Sequence, residues 1–210
     1  MKLYKFRAWH QLEYVLDIVH HERLHCASYK DLNDPFEGVF LQLLGRSRGV
    51  FRFLKRQATL DDFGIGNLLV CSLSASMNDV RLWSNYAGGH RGVAIEIDFD
   101  DHVDSIHEVT YSDELRGLTR TVLTTEEHDA VKVLTTKTHH WAYEQEFRIL
   151  QRDAFFNVTD RVRAIHLGTR IDPSNVALLK KVVPRHIEII PTKLDAGKLE
   201  VRNSHRLNIV

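Results

Sequence analysis

Residues 67–99 read NLLVCSLSASMNDVRLWSNYAGGHRGVAIEIDF, and this stretch decides the fold class. NLLVCSLS is a short apolar run of the kind that forms a buried strand. MNDVRLWSNYA has helical character, Gly88, Gly89 and Gly92 break it, and GVAIEIDF alternates as a strand. Upstream, LYKFRAW predicts an opening strand, and Leu12, Val15, Leu16 and Val19 recur at helical spacing. RLHCASY returns to strand character before Asn33, Asp34 and Pro35 break the chain. Asp34, followed three residues later by Glu37 with Pro35 between, predicts a helix N-cap with a capping box. Residues 40–63 then predict a helix with Arg48, Arg52, Lys55 and Arg56 largely on one face beside Phe51 and Phe53, closed by Gly64 and Gly66.

Downstream, residues 112–140 are polar and helical around EEHDAVKVL. WAYEQEFRIL predicts a strand with Tyr143, Gln145, Phe147 and Ile149 on one face and Glu144, Glu146 and Arg148 on the other. The tail predicts strand VRAIHLG, helix PSNVALLKKVV opened by Asp172 and Pro173, strand HIEII, a turn at Ala196–Lys198 and strand LEVRN. Strands outnumber helices and alternate with them irregularly. The expected fold is therefore α+β, with a split or mixed sheet and flanking helices, rather than a doubly wound parallel sheet.

The 210 residues carry 28 Lys and Arg against 28 Asp and Glu, and 43% are hydrophobic. Such a chain is expected to be soluble and globular, a single domain over 1–210. No run approaches the ~18 apolar residues of a membrane helix, so no membrane partner and no signal peptide is expected. Zero net charge removes any global attraction to a phosphate backbone, so the basic face at 48–56 reads first as a solvated face. Cys26 and Cys71 sit in apolar segments without metal-ligand spacing, which suits a reducing cytoplasm.

His21-Glu22-Arg23-Leu24-His25 matches the zinc-protease pattern, which places two histidines one helical turn apart with Glu as base. That chemistry needs all five residues in one helix, yet the apolar period ends near His20 and Arg23–Ser28 has strand character. Histidines at a helix C-terminus, favoured by the macrodipole, account for the string, and no metal is expected. Glu144 and Glu146 are the stronger pair. One residue apart on a strand, their carboxylates lie about 7 Å apart on one side. One could steady a cationic transition state while the other orients a nucleophile. They could equally form a solvated face paired with Arg148. Asn33 and Asp34 form a turn that could shape a cleft. Trp83 and Tyr86 share a helical face suited to core packing or to stacking on a flat ring, and Ser72 and Ser74 alternate on the preceding strand.

LYKFR, NDPFEG, CSLS, LWSNYA, GVAIEID, WAYEQEFRIL and AIHLG, in that order, resemble a bacterial family of unknown function, numbered 2971 among such domains, nearly end to end. The same order resembles the ADP-ribosyltransferase superfamily, and in particular DNA-modifying toxins of the DarT kind. The resemblance implies Glu146 as catalytic Glu and Glu144 as the upstream member of a Glu-x-Glu motif. It implies Ser72 and Ser74 on the serine strand and Trp83 or Tyr86 stacked on nicotinamide. Asn33 and Asp34 would lie in the turn beside the cofactor. The superfamily usually shows Arg or His after an aromatic in its first motif. Here Lys5 stands there, with Arg7 two residues on along the same face, and either could contact NAD.

The expectation is thus an NAD-dependent ADP-ribosyltransferase-like protein with NAD as substrate. It would be a toxin or phage-defence effector modifying nucleic acid or protein, with an antitoxin as a further partner. The alternatives are a catalytically silent nucleotide- or partner-binding module of the same fold and, behind it, a zinc hydrolase.

Overall fold

The computed structural model describes residues 1–44, 54–64, 67–100, 103–118, 126–198 and 200–204. The first part of the chain forms β1 (Lys2–Arg7), α1 (Leu12–His21), β2 (Arg23–His25), β3 (Ala27–Ser28), β4 (Val39–Leu44), β5 (Leu54–Thr59), β6 (Leu69–Ser74), α2 (Val80–Tyr86) and β7 (Val93–Asp98). It continues with β8 (Ile106–Glu108), β9 (Thr110–Ser112), β10 (Gly117–Leu118), α3 (Glu126–Leu134), β11 (Thr136–Thr138) and β12 (Glu146–Gln151). The last elements are β13 (Phe155–Asn157), β14 (Val162–Leu167), α4 (Pro173–Val182), β15 (Glu188–Asp195) and β16 (Glu200–Asn203). α4 starts as its sequence dictates, with the Asp172 carboxylate accepting from the Ser174 amide and Pro173 in the first turn.

Nine strands make one mixed sheet in the order β16-β15-β14-β7-β1-β6-β12-β8, with β3 also paired to β6. β14 and β15 are parallel because α4 carries the chain back between them, while the other neighbours are antiparallel. Strand alternation sorts the side chains into two layers. On one face Val15, Ile18 and Val19 of α1 pack with Leu3, Cys71, Leu73, Ile95 and Ile149. On the other, Leu82 and Trp83 of α2 pack with Phe6, Ala94 and Val201. Farther along that second face, β4, β5 and α3 bury Phe40, Ala58, Val133 and Leu134 with Val70 and Leu150.

The sheet is parted at one seam. β1 pairs with β7 along its whole length, from Lys2↔Asp98 to Arg7↔Val93. With β6 it meets at Tyr4↔Ser74 alone. β3 takes the same edge of β6 farther along, at Leu69 and Val70. Between these two contacts, Cys71–Leu73 have no strand partner on that edge. The Ser72 carbonyl there accepts instead from the Lys5 ammonium at 2.7 Å.

Two expectations are corrected. The described parts of the stretch 40–63 are not one helix, because β4 and β5 pair antiparallel from Val39↔Thr59 to Leu44↔Leu54. The pairing places Phe40 opposite Ala58, and a hairpin buries both at once, which a helix with a basic stripe would not. Lys55 and Arg56 lie on β5, while Arg48, Arg52, Phe51 and Phe53 lie outside the described residues. Asp34 caps no helix. Its Oδ1 accepts from the Phe36 amide in a turn that Gly38 completes at φ 73°, where a Cβ would fall 2.3 Å from the Tyr29 ring.

The fully buried Ile95, at the centre of β7, packs in the α1-side core. Ile95→Ala is expected to lower unfolding stability by about 2–5 kcal/mol, read as a reduced urea midpoint with an unchanged slope.

Candidate functional site

The seam between β1 and β6 opens into a hollow of about 280 Å³. One wall is acidic and built on the α2 face of the sheet. Antiparallel register sets Glu146 opposite Ser74 and Arg148 opposite Ser72, so these four side chains share that face. Glu144, however, is not on the strand. Residues 139–144 form a 3-10 turn, Gln145 adopts the left-handed conformation at φ 43°, and β12 begins at Glu146. The reversal brings both carboxylates onto one lysine instead of spacing them along a strand. Lys137 Nζ lies 2.7 Å from Glu144 Oε2 and 3.0 Å from Glu146 Oε2.

Arg148 completes the cluster. It is wholly buried, donates from Nε to Glu146 Oε1 at 2.8 Å, and grips the Glu37 carboxylate with its other two nitrogens. Nη1 also donates to the Leu134 carbonyl at 2.6 Å, at the end of α3. Three carboxyl groups thus share two cationic side chains out of water, where each charge is tolerable only because it is paired and hydrogen-bonded. Burial works against the charge of Glu146. Arg148 and Lys137, with hydrogen bonds from Arg148 and Ser72, outweigh it and hold the carboxyl at about 2. For Glu144 burial wins and its pKa is raised, although Lys137 and the Tyr86 hydroxyl oppose the shift. Tyr86 donates to Glu144 Oε1 and accepts from Asn33 Nδ2 at 2.7 Å, and burial beside Glu144 pushes its own phenol up. The Ser74 hydroxyl holds the Glu144 carbonyl, fastening the turn to β6.

The other wall is cationic. Lys5 and Arg7 alternate with Tyr4 and Phe6 along β1, so they belong to the α1 face and reach the hollow through the seam. The Arg7 guanidinium lies 5.4 Å from the centroid of the Tyr14 ring of α1. Among the described residues neither cation is paired with a carboxylate, and Arg7 Nε is buried with no hydrogen-bond partner. Burial lowers the pKa of both, with the Cys71 sulfur opposing it. Two desolvated cations with no carboxylate partner among the described residues make a wall that a ligand anion would satisfy.

Of the residues singled out in the sequence, Lys5, Arg7, Asn33, Ser72, Ser74, Tyr86, Glu144 and Glu146 line this hollow. It leaves out Trp83 and Asp34. Trp83 is unavailable for stacking on a ligand: it is fully buried, edge-on to Phe6, and its indole N–H donates to the Met77 carbonyl at 2.6 Å. Asp34 is spent on its turn. The zinc-protease string is divided, with His21 ending α1 against Asp17, Glu22 left-handed at φ 50°, and Arg23–His25 in β2. Among the described residues no group of three His, Cys, Asp or Glu side chains could hold a metal. Glu37 and Lys137 went unrecognised. The first carries a capping spacing that explained it locally, and the second sits between two threonines with nothing nearby in sequence to mark its role.

Residues 82–149 match the profile of a family described as a protein of unknown function, DUF2971. The match runs from α2 into β12 and takes in Tyr86, Lys137, Glu144, Glu146 and Arg148, while Lys5, Arg7 and Glu37 lie outside it. No curated protein and no solved structure matches the chain. No helix among the described residues is long and apolar enough to cross a membrane.

Because the Glu146 carboxyl falls from an ordinary 4.5 to about 2 on folding, its stabilisation is complete above 4.5 and is lost as the pH drops toward 2. Glu146→Gln is expected to unfold about 3–5 kcal/mol more easily at neutral pH and to lack that part of the acid transition. Denaturant melts of both proteins across pH 2–7 measure it.

Proposed function

We propose that the hollow binds NAD and that the chain transfers ADP-ribose from it. One observation carries this reading: a single hollow has two cations without carboxylate partners on one wall and a fixed carboxylate cluster on the other. NAD presents a pyrophosphate anion at its centre and, as its glycosidic bond breaks, a developing positive charge on the ribose. Lys5 and Arg7 suit the pyrophosphate, Arg7 through a guanidinium fork with a free N–H. Glu146, ionised throughout the working pH range, suits a ribose hydroxyl and the oxocarbenium-like transition state, and Arg148 and Lys137 hold it in place.

As the bond from the anomeric carbon to the nicotinamide nitrogen breaks, its electron pair leaves with nicotinamide. The acceptor then bonds to that carbon and its proton passes to Glu144, whose raised pKa suits it to take one. Tyr86, rather than Trp83, lies beside the leaving ring. A hollow of about 280 Å³ encloses one nucleoside-sized end of NAD, so the other end lies outside it. The acceptor is a nucleic acid or protein, which fits a toxin or phage-defence effector held in check by an antitoxin.

A second reading, a catalytically silent nucleotide-binding module, is favoured by one fact. Glu146 is already engaged by two cations, which drains its field at the reacting carbon. Nicotinamide release from NAD, followed with and without cell extract beside calorimetric NAD binding, separates the two. The transferase reading expects turnover that falls at least about 100-fold in Glu144→Gln and Glu146→Gln, with NAD binding retained. Arg7→Met is expected to weaken NAD binding about tenfold. Saturable binding without turnover in the unaltered protein establishes the silent module, and absence of binding removes both.

A further inference from the structure

We propose that Cys26 and Cys71 form a reversible dithiol–disulfide site that sets the charge facing Lys5 and Arg7. β3 lies on β6 with Ala27 opposite Val70 and Ser28 opposite Leu69. Continued one residue beyond the Ala27–Val70 pair, where the strand pairing itself ends, this register sets Cys26 against Cys71. Directly opposed residues of an antiparallel pair have Cα atoms about 4.5–5.5 Å apart, inside the ~4.4–6.8 Å span that a disulfide bridges. Both thiols are free and buried in the α1-side core, and each sulfur lies close enough to shift the ionisation of the other.

The two sulfurs are not equivalent. The neighbouring Cys26 thiol, with Lys5 and Arg7 beside it, lowers the pKa of Cys71 against the effect of burial. Cys26 keeps its proton, and its sulfur accepts from the Gln151 amide at 3.6 Å. Cys71 is therefore the thiolate and the nucleophile, and Cys26 the resolving thiol. Their chain neighbours Ala27, Val70 and Ser72 line the hollow, which gives a small oxidant a short path to the pair.

Hydrogen peroxide supplies the oxidising equivalents. The Cys71 thiolate attacks one peroxide oxygen, the O–O bond breaks, and the departing hydroxide takes a proton to leave as water. Cys26 sulfur then attacks the sulfenic sulfur, the S–S bond forms, and the S–O bond breaks with loss of a second water. Both thiols are oxidised and the peroxide is reduced. Lys5 and Arg7 thereby lose the one anion beside them. On the reading that their wall holds pyrophosphate, the oxidised protein binds that anion more tightly.

The test treats the reduced chain with hydrogen peroxide and follows intact mass, free thiols after unfolding, and calorimetric binding of inorganic pyrophosphate. The expected product is a monomer lighter by ~2 Da with no free thiol, restored by dithiothreitol. Its pyrophosphate affinity is expected to rise about fivefold, the effect of removing one nearby charge in a partly solvated site. With excess peroxide Cys26→Ala should gain two oxygen atoms instead of losing mass, because without a resolving thiol Cys71 goes on to the sulfinate, which keeps a negative charge, and it should not show that rise. Oxygen addition without loss of both thiols in the unaltered chain, a disulfide between two chains, or no reaction would each overturn the site. An equal rise in Cys26→Ala would overturn the coupling. Pyrophosphate binding in neither state would defeat the anion-binding reading and this consequence, while the mass result alone decides the disulfide.

Discussion

The buried guanidinium of Arg148 is the interaction on which the rest of this structure depends. It joins Glu37 in a tight turn, Glu146 on its own strand and the last turn of α3 through Leu134, so three separated segments converge on one planar fork. Glu37 lies 111 residues away in sequence. A guanidinium cannot shed its charge, so it is kept out of water only if both carboxylates are in place. Lys137 extends the same logic to Glu144. The acidic wall is rigid for this reason, and its rigidity suits a group meant to face a charge that appears only during a reaction.

The opposite wall follows a different rule. Lys5 and Arg7 are desolvated without a carboxylate to offset them, and a donor on Arg7 is left without a partner. Natural structures leave few such groups, and each calls for an explanation. Here the explanation lies in the seam, where β1 and β6 share one residue pair and the gap beyond it brings cations from one sheet face within reach of carboxylates on the other. The sheet supplies the distance between opposite charges, and a ligand with both kinds of need would bridge it.

Much of this was legible in the sequence because it depends on local period. The strands LYKFR, LLVCSLS, GVAIEID and VRAIHL and the helix after Asp172 sit where alternation and capping place them. What failed did so for identifiable reasons. Asp34 and Glu37 have the spacing of a capping box, but Gly38 turns the chain and frees Glu37 for a partner far along the sequence. Residues 40–63 have basic groups at helical intervals, yet the described parts of this stretch, β4 and β5, pair with each other as strands. The spacing of Trp83 suits both core packing and ring stacking, and its indole hydrogen bond to the Met77 carbonyl settles it as core. Glu144 comes beside Glu146 by a geometry that strand alternation does not predict, since a left-handed Gln145 turns the chain between them.

The strand order bears on how the matched stretch 82–149 should be regarded. β7 and the first residues of β12 fall within it, yet β1 and β6 stand between these strands in the sheet, and β14 borders β7 on its far side. A polypeptide cut to that stretch would present β7 with two bare edges, β12 with one, and an arginine stripped of a counter-ion. The segment most readily recognised by its residues is thus a set of interleaved planks, held up by lumber from both ends of the chain, and has no independent existence as a folding unit.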